Sequence, residues 1–306
     1  MSNTVIKVSQ EMINKMRDHY SKSLLEKIPP GAIFTAKQNG CTITAYRSGK
    51  VMFQGNFHSD EASKWGEAAP VQKKIKVNKT SGNPLPSDIS TLSLIGSDEV
   101  GTGDYFGPIT VVSAFVKKEQ IPLLKELGVK DSKDLSDPQI VSIAKDLLHV
   151  IPYSLLILHN EKYNQLQANG MTQGKMKALL HNKALNNLLK KIPDKPDAIL
   201  IDQFVEADTY YRHLKGQKEI CTENVYFSTK GESVHLAVAA ASILARYAFI
   251  KEFDKLSVKA GFTLPKGAGH QVDKAAAQLI KKKGRPALKD FVKIHFANTE
   301  KALKLI

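Results

Sequence analysis

An aperiodic stretch between Glu67 and Ser90 divides this chain into two parts whose hydrophobic rhythms differ, so no single layer of secondary structure runs through it. The stretch reads AAPVQKKIKVNKTSGNPLPSD after Glu67 and collects Pro, Gly, Ser, Asn and four lysines. That is linker composition, and its charge can touch an anionic partner without folding. Before it, Asn3–Val8 alternates as a short strand, and Ser9 offers an N-cap. Met12, Met16, Tyr20, Leu24 and Leu25 then recur near helical spacing up to a stop at Pro29-Pro30-Gly31. Ala32–Lys37, Cys41–Arg47 and Val51–Gln54 predict an antiparallel meander around two turn signals, Gln38-Asn39-Gly40 and Arg47-Ser48-Gly49-Lys50, and Ser59 starts a short helix through Trp65. After the break, strand-like runs at Leu92–Ile95, Ile109–Val116, Tyr153–Leu158 and Ala198–Ile201 alternate with helical stretches near Pro138–His149, Tyr163–Lys191 and Val234–Lys259. The expected organisation is a small α+β domain at 1–68 with one exposed sheet face, a basic flexible linker at 69–90, and an α/β domain at 91–306 with a mixed sheet flanked by helices.

Charge narrows the class of partner. With 44 Lys and Arg against 30 Asp and Glu, the formal charge is +14, which favours a polyanion, nucleic acid first, over a neutral metabolite. A hydrophobic fraction of 42% in 306 residues supports real cores and excludes fibrous, disordered and low-complexity classes. Cys41 and Cys221 are far apart and lack zinc spacing, as suits a reducing cytosol. The start, MSNTVIKVSQEM, has no basic stretch leading into an apolar run, and the longest apolar segments are too short for a bilayer or interrupted by Arg246. A cytoplasmic protein with no membrane partner is expected.

The chemistry concentrates in Gly96-Ser97-Asp98-Glu99-Val100-Gly101-Thr102-Gly103-Asp104-Tyr105-Phe106-Gly107-Pro108. An apolar strand runs into two adjacent carboxylates and then a glycine-rich turn. Neighbours on a regular strand face opposite ways, so Asp98 and Glu99 can share one site only if the strand ends or bulges there. The glycines leave backbone N–H groups uncovered, open to a phosphate or a sugar hydroxyl. An isolated Asp-Glu pair equally describes a solvated acidic loop. A second acidic centre follows Ala198-Ile-Leu-Ile201, where Asp202 ends a buried strand and Glu206 lies four residues on; Asp202 could instead be a helix N-cap. Carboxylates without Cys or His ligand motifs suit hard cations, Mg²⁺ or Mn²⁺, and two such ions support phosphodiester hydrolysis. No GxxxxGK[ST] loop is present, which removes nucleotide-driven motors and kinases.

Asp98-Glu99-Val100-Gly101-Thr102-Gly103, Asp131-Ser132-Lys133, Gln173-Gly-Lys-Met-Lys177 and His235-Leu-Ala-Val-Ala-Ala-Ala-Ser-Ile-Leu-Ala-Arg246 occur in an order that resembles the type 2 ribonuclease H family, in particular its ribonuclease HIII branch. The likeness spans about Leu92 to the C-terminus. It implies an RNase H-like catalytic domain that cuts the RNA strand of RNA/DNA hybrids, leaving 5′-phosphate and 3′-hydroxyl ends. It also implies a TATA-box-binding-protein-like N-terminal domain that holds the hybrid, with Lys37, Arg47 and Lys50 available for phosphates. By the same resemblance Asp98, Glu99 and Asp202 ligate two Mg²⁺ or Mn²⁺ ions, with the fourth acidic position at Glu206 or nearby Asp208. Type 2 enzymes usually carry Gly-Arg-Gly where this chain has Gly101-Thr102-Gly103, the loop the family uses to sense 2′-hydroxyls. Cleavage within ribonucleotide runs is therefore expected ahead of cleavage at a single embedded ribonucleotide.

Lys133, Lys175 and Lys177 are candidate phosphate clamps. His235 reads as a helix-end residue or as a group that orders water, Lys281–Arg285 as a basic surface run, and Trp65 as core. A monomer is expected. The rival from another class is a non-catalytic nucleic-acid binder that uses the N-terminal sheet and the lysine-rich linker.

Overall fold

Alternation of apolar and polar residues builds the first unit of the computed structural model, which describes residues 3–26, 28–65 and 84–306 and divides the chain into units 1–79 and 80–306. Strands β1 (Asn3–Lys7), β2 (Ala32–Gln38), β3 (Cys41–Tyr46) and β4 (Lys50–Gly55) form an antiparallel sheet in the order β1-β4-β3-β2. Its inward residues, Ile6, Phe34, Ala36, Ile43, Ala45, Val51 and Phe53, pack with Ile13 and Met16 of helix α1 (Gln10–His19) and Ala62 of α2 (His58–Ser63). Register sets the opposite row as Val5, Met52, Thr44 and Thr35, one from each strand. Lys37, Arg47 and Lys50 are exposed. The first helix stops at His19, well before Pro29, because Tyr20 turns fully inward. Its hydroxyl donates to Glu61 (2.7 Å) and accepts from the Trp65 indole (2.7 Å).

The second unit is a five-stranded mixed sheet in the order β7-β6-β5-β8-β9, made of β5 (Leu94–Val100), β6 (Ile109–Val116), β7 (Tyr153–Leu158), β8 (Ala198–Asp202) and β9 (Val225–Ser228). β5 pairs antiparallel with β6 and parallel with β8. Of the expected linker, 69–83 lies outside the described residues; in 84–90, Ile89 is buried in the core and Leu85 packs against it. Helices α3 (Ile121–Glu126) and α4 (Asp137–Val150) follow β6. The helical pattern at 163–191 forms two helices, α5 (Asn160–Ala168) and α6 (Gln173–Leu189). Gly170 takes φ +80° between them, and the Thr172 side chain caps α6 by accepting from the Lys175 N–H. Short α7 (Ala207–Leu214) and α8 (Gly231–Val234) precede α9 (Leu236–Ala260), and α10 (His270–Lys283), α11 (Leu288–Phe291) and α12 (Asn298–Leu303) close the chain.

Two cores sandwich this sheet. One face packs Leu94, Val112, Ala114 and Leu200 against α4 and α9; the other packs Ile95, Phe115, Ile199 and Ile201 against α6 and α7. The alanines of α9 let its backbone lie directly on β5. A Cβ on Gly96 would sit 2.2 Å from the Ala237 carbonyl carbon, so only glycine permits that approach. The last helices pack Phe106, Phe249, Phe253 and Phe291 around the loop that leaves β5. No helix among the described residues is long and apolar enough to cross a membrane.

His235 starts α9 as its N-cap. Its Nδ1 accepts from the Ala237 N–H (2.9 Å) and its Nε2–H donates to the Leu92 carbonyl (3.1 Å), an arrangement only the neutral ring can make. Burial pushes its pKa down to about 4, only partly offset by Leu92. Below the unfolded value of 6.5, the unfolded chain binds a proton that the folded chain refuses, so stability falls as pH drops from 6.5 towards 4. The expected loss is about 3 kcal/mol. Denaturant melts of wild type and His235→Asn across that range check it: the variant keeps an N-cap acceptor and should lose this limb of the pH dependence.

Candidate active site

β5 continues in regular pairing with β6 through Asp98, Glu99 and Val100, opposite Val112, Val111 and Thr110. The strand neither ends nor bulges at the acids, contrary to expectation, and its pleat sends them to opposite faces of the sheet. Parallel pairing with β8 stops at Ser97 opposite Ile201, so Asp98 and Asp202 are the next residues of adjoining strands. They emerge on the α9 face, whereas Glu99 emerges on the α6 face.

On the α9 face Asp98 is 7% exposed and accepts a hydrogen bond from the Glu99 N–H (2.7 Å). Burial, then the negative charges of Glu99, Asp202 and Glu232, push its pKa well above the usual carboxylate range. Asp202 is raised as well, by burial first; the Gly231 N–H, which donates to its Oδ1 (2.8 Å), opposes the rise. Glu232, 7% exposed, completes this face. It accepts from Ser132 (3.1 Å) and Lys133 (3.5 Å), and the Ser132 hydroxyl meets Ser242 (2.9 Å). Burial first, and then the neighbouring Asp131 carboxyl, raise Glu232, whereas Asp131 is lowered by its contact with Glu232. Arg246 fixes the Asp131-Ser-Lys turn by donating to the Ser132 and Leu135 carbonyls and to Asp137 (2.7 Å).

On the α6 face the carboxylate of Glu99 is held by Lys177 Nζ (2.8 Å) and His181 Nε2 (2.8 Å), while His181 Nδ1 meets the Ser97 hydroxyl (2.7 Å). Burial opposes ionisation of Glu99, but His181 and Lys177 outweigh it and keep the group below its ordinary value. Phe204 stacks on His181 and underlies the Lys177 ammonium at 4.1 Å. Gln173, one turn before Lys177, donates to the Thr102 carbonyl (3.1 Å). Residues 173, 177 and 181 recur every fourth position, so a single stripe of α6 grips both the acid and the glycine loop. In that loop Gly101 has φ +94°, and a Cβ there would meet the Pro108 carbonyl oxygen at 2.2 Å. Gly103 has open space around its Cα.

The other sequence-predicted residues are placed as follows. Lys133 reaches solvent beside Glu232 with its side chain 78% exposed, and Lys175 is exposed. Lys177 is largely enclosed in its ion pair with Glu99. Glu206 is the exposed residue before α7 and Asp208 is exposed in its first turn; Glu232, not Glu206, is among the main charges acting on Asp98. Sequence reasoning passed over Glu232, Ser242 and His181. Only His181 left a usable signal, its four-residue spacing from Lys177. Among the described residues no three His, Cys, Asp or Glu side chains are already gathered as a cation cage. Asp98 and Asp202 nonetheless offer oxygen donors of the kind a hard divalent cation takes, and the charge of Glu99 on the other face still acts on both.

Lys177→Met should raise the Glu99 pKa, because one of the two groups that hold it down is lost. Carbon-detected NMR titration of the Glu99 carboxyl reads the midpoint directly, and an unmoved midpoint would show that His181 alone holds the charge.

Comparison with known proteins places these features in context. The family model described as Ribonuclease HII matches residues 95–299, and a domain of unknown function, DUF3378, matches 3–78. The chain is 63% identical to the ribonuclease HIII of Bacillus mycoides strain KBAB4, covering 100% of this chain and 99% of that one. It is 61% identical to the ribonuclease HIII of Bacillus subtilis strain 168, covering 100% and 98%. Among solved structures, Bst-RNase HIII in complex with Mn²⁺ aligns with a TM-score of 0.70 at 46% identity, over 99% of both chains.

Proposed function

This chain belongs to the ribonuclease HII family of ribonuclease H enzymes, and on that footing we propose that it hydrolyses the RNA strand of RNA/DNA hybrids endonucleolytically, with two divalent cations, leaving 5′-phosphate and 3′-hydroxyl ends. The observation that carries this reading is the adjacency of Asp98 and Asp202, the next residues of neighbouring strands after the last β5–β8 pair, both raised by burial and by neighbouring carboxylates. Buried like charges of this kind are costly unless a cation offsets them. Asp98, Glu99 and Asp202 would hold the ions, Mg²⁺ or Mn²⁺, with Glu206, the residue before α7, or nearby Asp208 as the fourth acid. The Mn²⁺ complex of Bst-RNase HIII supports this choice. A bound pair of such ions supplies an activated water and stabilises the leaving 3′ oxygen.

The protein's own residues then supply position. Lys177 and His181 keep Glu99 ionised, so it meets a cation without first shedding a proton. The Glu99 N–H orients Asp98, and the Gly231 N–H orients Asp202. Gly101, Thr102 and Gly103 offer backbone groups to the ribose, where a 2′-hydroxyl marks RNA. Lys133 and Lys175 extend into solvent as phosphate contacts. The sheet unit at 1–68 adds affinity through Lys37, Arg47 and Lys50, with the salt dependence that counterion release imposes. The enzyme works as a monomer in the cytoplasm.

With a labelled hybrid and either Mg²⁺ or Mn²⁺, Asp98→Asn and Asp202→Asn should each lower kcat by roughly a thousandfold or more while leaving hybrid affinity within a few-fold. Glu206→Gln should lower kcat less, at subsaturating metal above all. Undiminished cleavage by Asp98→Asn, or cleavage in excess chelator, would refute the metal assignment.

A further inference from the structure

Lys293 lies far in sequence from every acid discussed above, yet it ends inside the loop that follows them. It is 0% exposed. Its ammonium donates to the carbonyls of Asp104 (2.8 Å) and Gly107 (2.7 Å) and faces the Tyr163 ring at 5.8 Å. Its backbone N–H donates to the Tyr105 carbonyl (2.9 Å), and Val292 bridges Phe106. Asn160 of α5 donates to the same Gly107 carbonyl (2.9 Å). At the other end of the turn, Gln173 joins the Thr102 carbonyl to the Tyr163 hydroxyl (3.1 Å each). Lys293 and Gln173 therefore grip the two ends of one turn and meet on Tyr163.

No carboxylate oxygen pairs with this amine in the described residues; both of its acceptors are neutral carbonyls. Burying a cation in that way costs stability, and a methionine of similar length would fill the space without the cost. What methionine cannot do is draw two carbonyls inward and so fix the peptide planes of the turn. The accessible part of that turn is Thr102, Gly103 and Asp104.

We propose that Lys293 is a positioning residue for ribose recognition: its ammonium locks the Thr102–Gly107 turn in the shape that meets the 2′-hydroxyl, and so sets the preference for RNA/DNA hybrid over DNA duplex. This rests on the reading of the glycine loop given above. Burial pushes the amine down to about 7, against a smaller upward pull from Asp104. The groups facing it are Asp104 on the loop, Asn160 and Tyr163 on α5, and His295, whose ring stacks on Tyr163 and is itself pushed down by burial and by Lys293. Loss of the proton removes one donor and the charge behind the other two, so the lock weakens as pH rises through that value.

The experiment compares wild type with Lys293→Met in steady-state hydrolysis of a hybrid from pH 6 to 9, with a DNA duplex of the same sequence as competitive inhibitor. The variant should show a hybrid KM raised by about fivefold or more at pH 6, with kcat far less affected and the inhibition constant of the DNA duplex within about twofold. Wild-type KM should climb towards the variant's value above pH 7, while the variant's KM stays flat. A merely structural lysine would weaken hybrid and duplex together. Should Lys293→Met fail to fold, Asn160→Ser, which removes the other side-chain donor to Gly107, should raise hybrid KM alone by a smaller factor and keep the pH limb. An active wild type whose variants keep its KM and its pH profile would overturn the role of Lys293 alone. A wild type that cleaves no hybrid would overturn the reading of the loop and this inference with it.

Discussion

Parallel pairing of β5 with β8 beneath α9 is the constraint from which the rest of the catalytic unit follows. It exists because Gly96 has no side chain where the backbone of α9 crosses, so helix and sheet touch without a spacer. The β5–β8 register ends at Ser97 opposite Ile201, which makes Asp98 and Asp202 the next residues of neighbouring strands. Two carboxylates brought together under a helix, with Glu232 behind them, are electrostatically uncomfortable by construction.

The two faces of the sheet treat their acids in opposite ways. On the α6 side, Lys177 and His181 keep Glu99 charged. On the α9 side, two backbone N–H groups orient Asp98 and Asp202 without neutralising them, and their pKa values rise. This asymmetry leaves negative charge unbalanced on one side only, where a hard cation gains most from binding. Asp131 and Glu232 sit at the margin of that region, where Asp131 accepts from the Lys133 N–H and Glu232 from the outward-reaching Lys133 ammonium.

Several buried polar groups in this unit are poor choices for stability taken alone. His235 is held neutral, Lys293 is enclosed without a counter-ion, and Ser97 joins His181 in the interior. Each either caps an element or restrains the loop and acids around the site. Conflicts between local rules and global packing are expected where a structure carries chemistry.

Much of the frame was legible without coordinates. Ile109–Val116 and Tyr153–Leu158 were marked to the residue, since apolar runs bounded by breakers fix a buried strand, and Asp98, Glu99 and Asp202 stood out as acids at strand ends. The short β9 and the unbroken pleat at Asp98-Glu99 were not legible, because each depends on a neighbour distant in sequence, whereas the split of the 163–191 helix rests on the local Gly170 turn and Thr172 cap. The residues 173, 177 and 181 could be seen as a helical stripe, but nothing local says which strand that stripe would meet. Glu232 and Lys293 lie 133 and 194 positions from Glu99 and Glu99's neighbours come to them only through packing. The amino-acid sequence by itself determined most element types and the break between two differently patterned parts, for these follow from periodicity and composition within short windows. Which face each acid takes, which amine restrains the loop and which carboxylates feel one another were decided only by the tertiary structure, because charge and hydrogen bonding act through space and not along the chain.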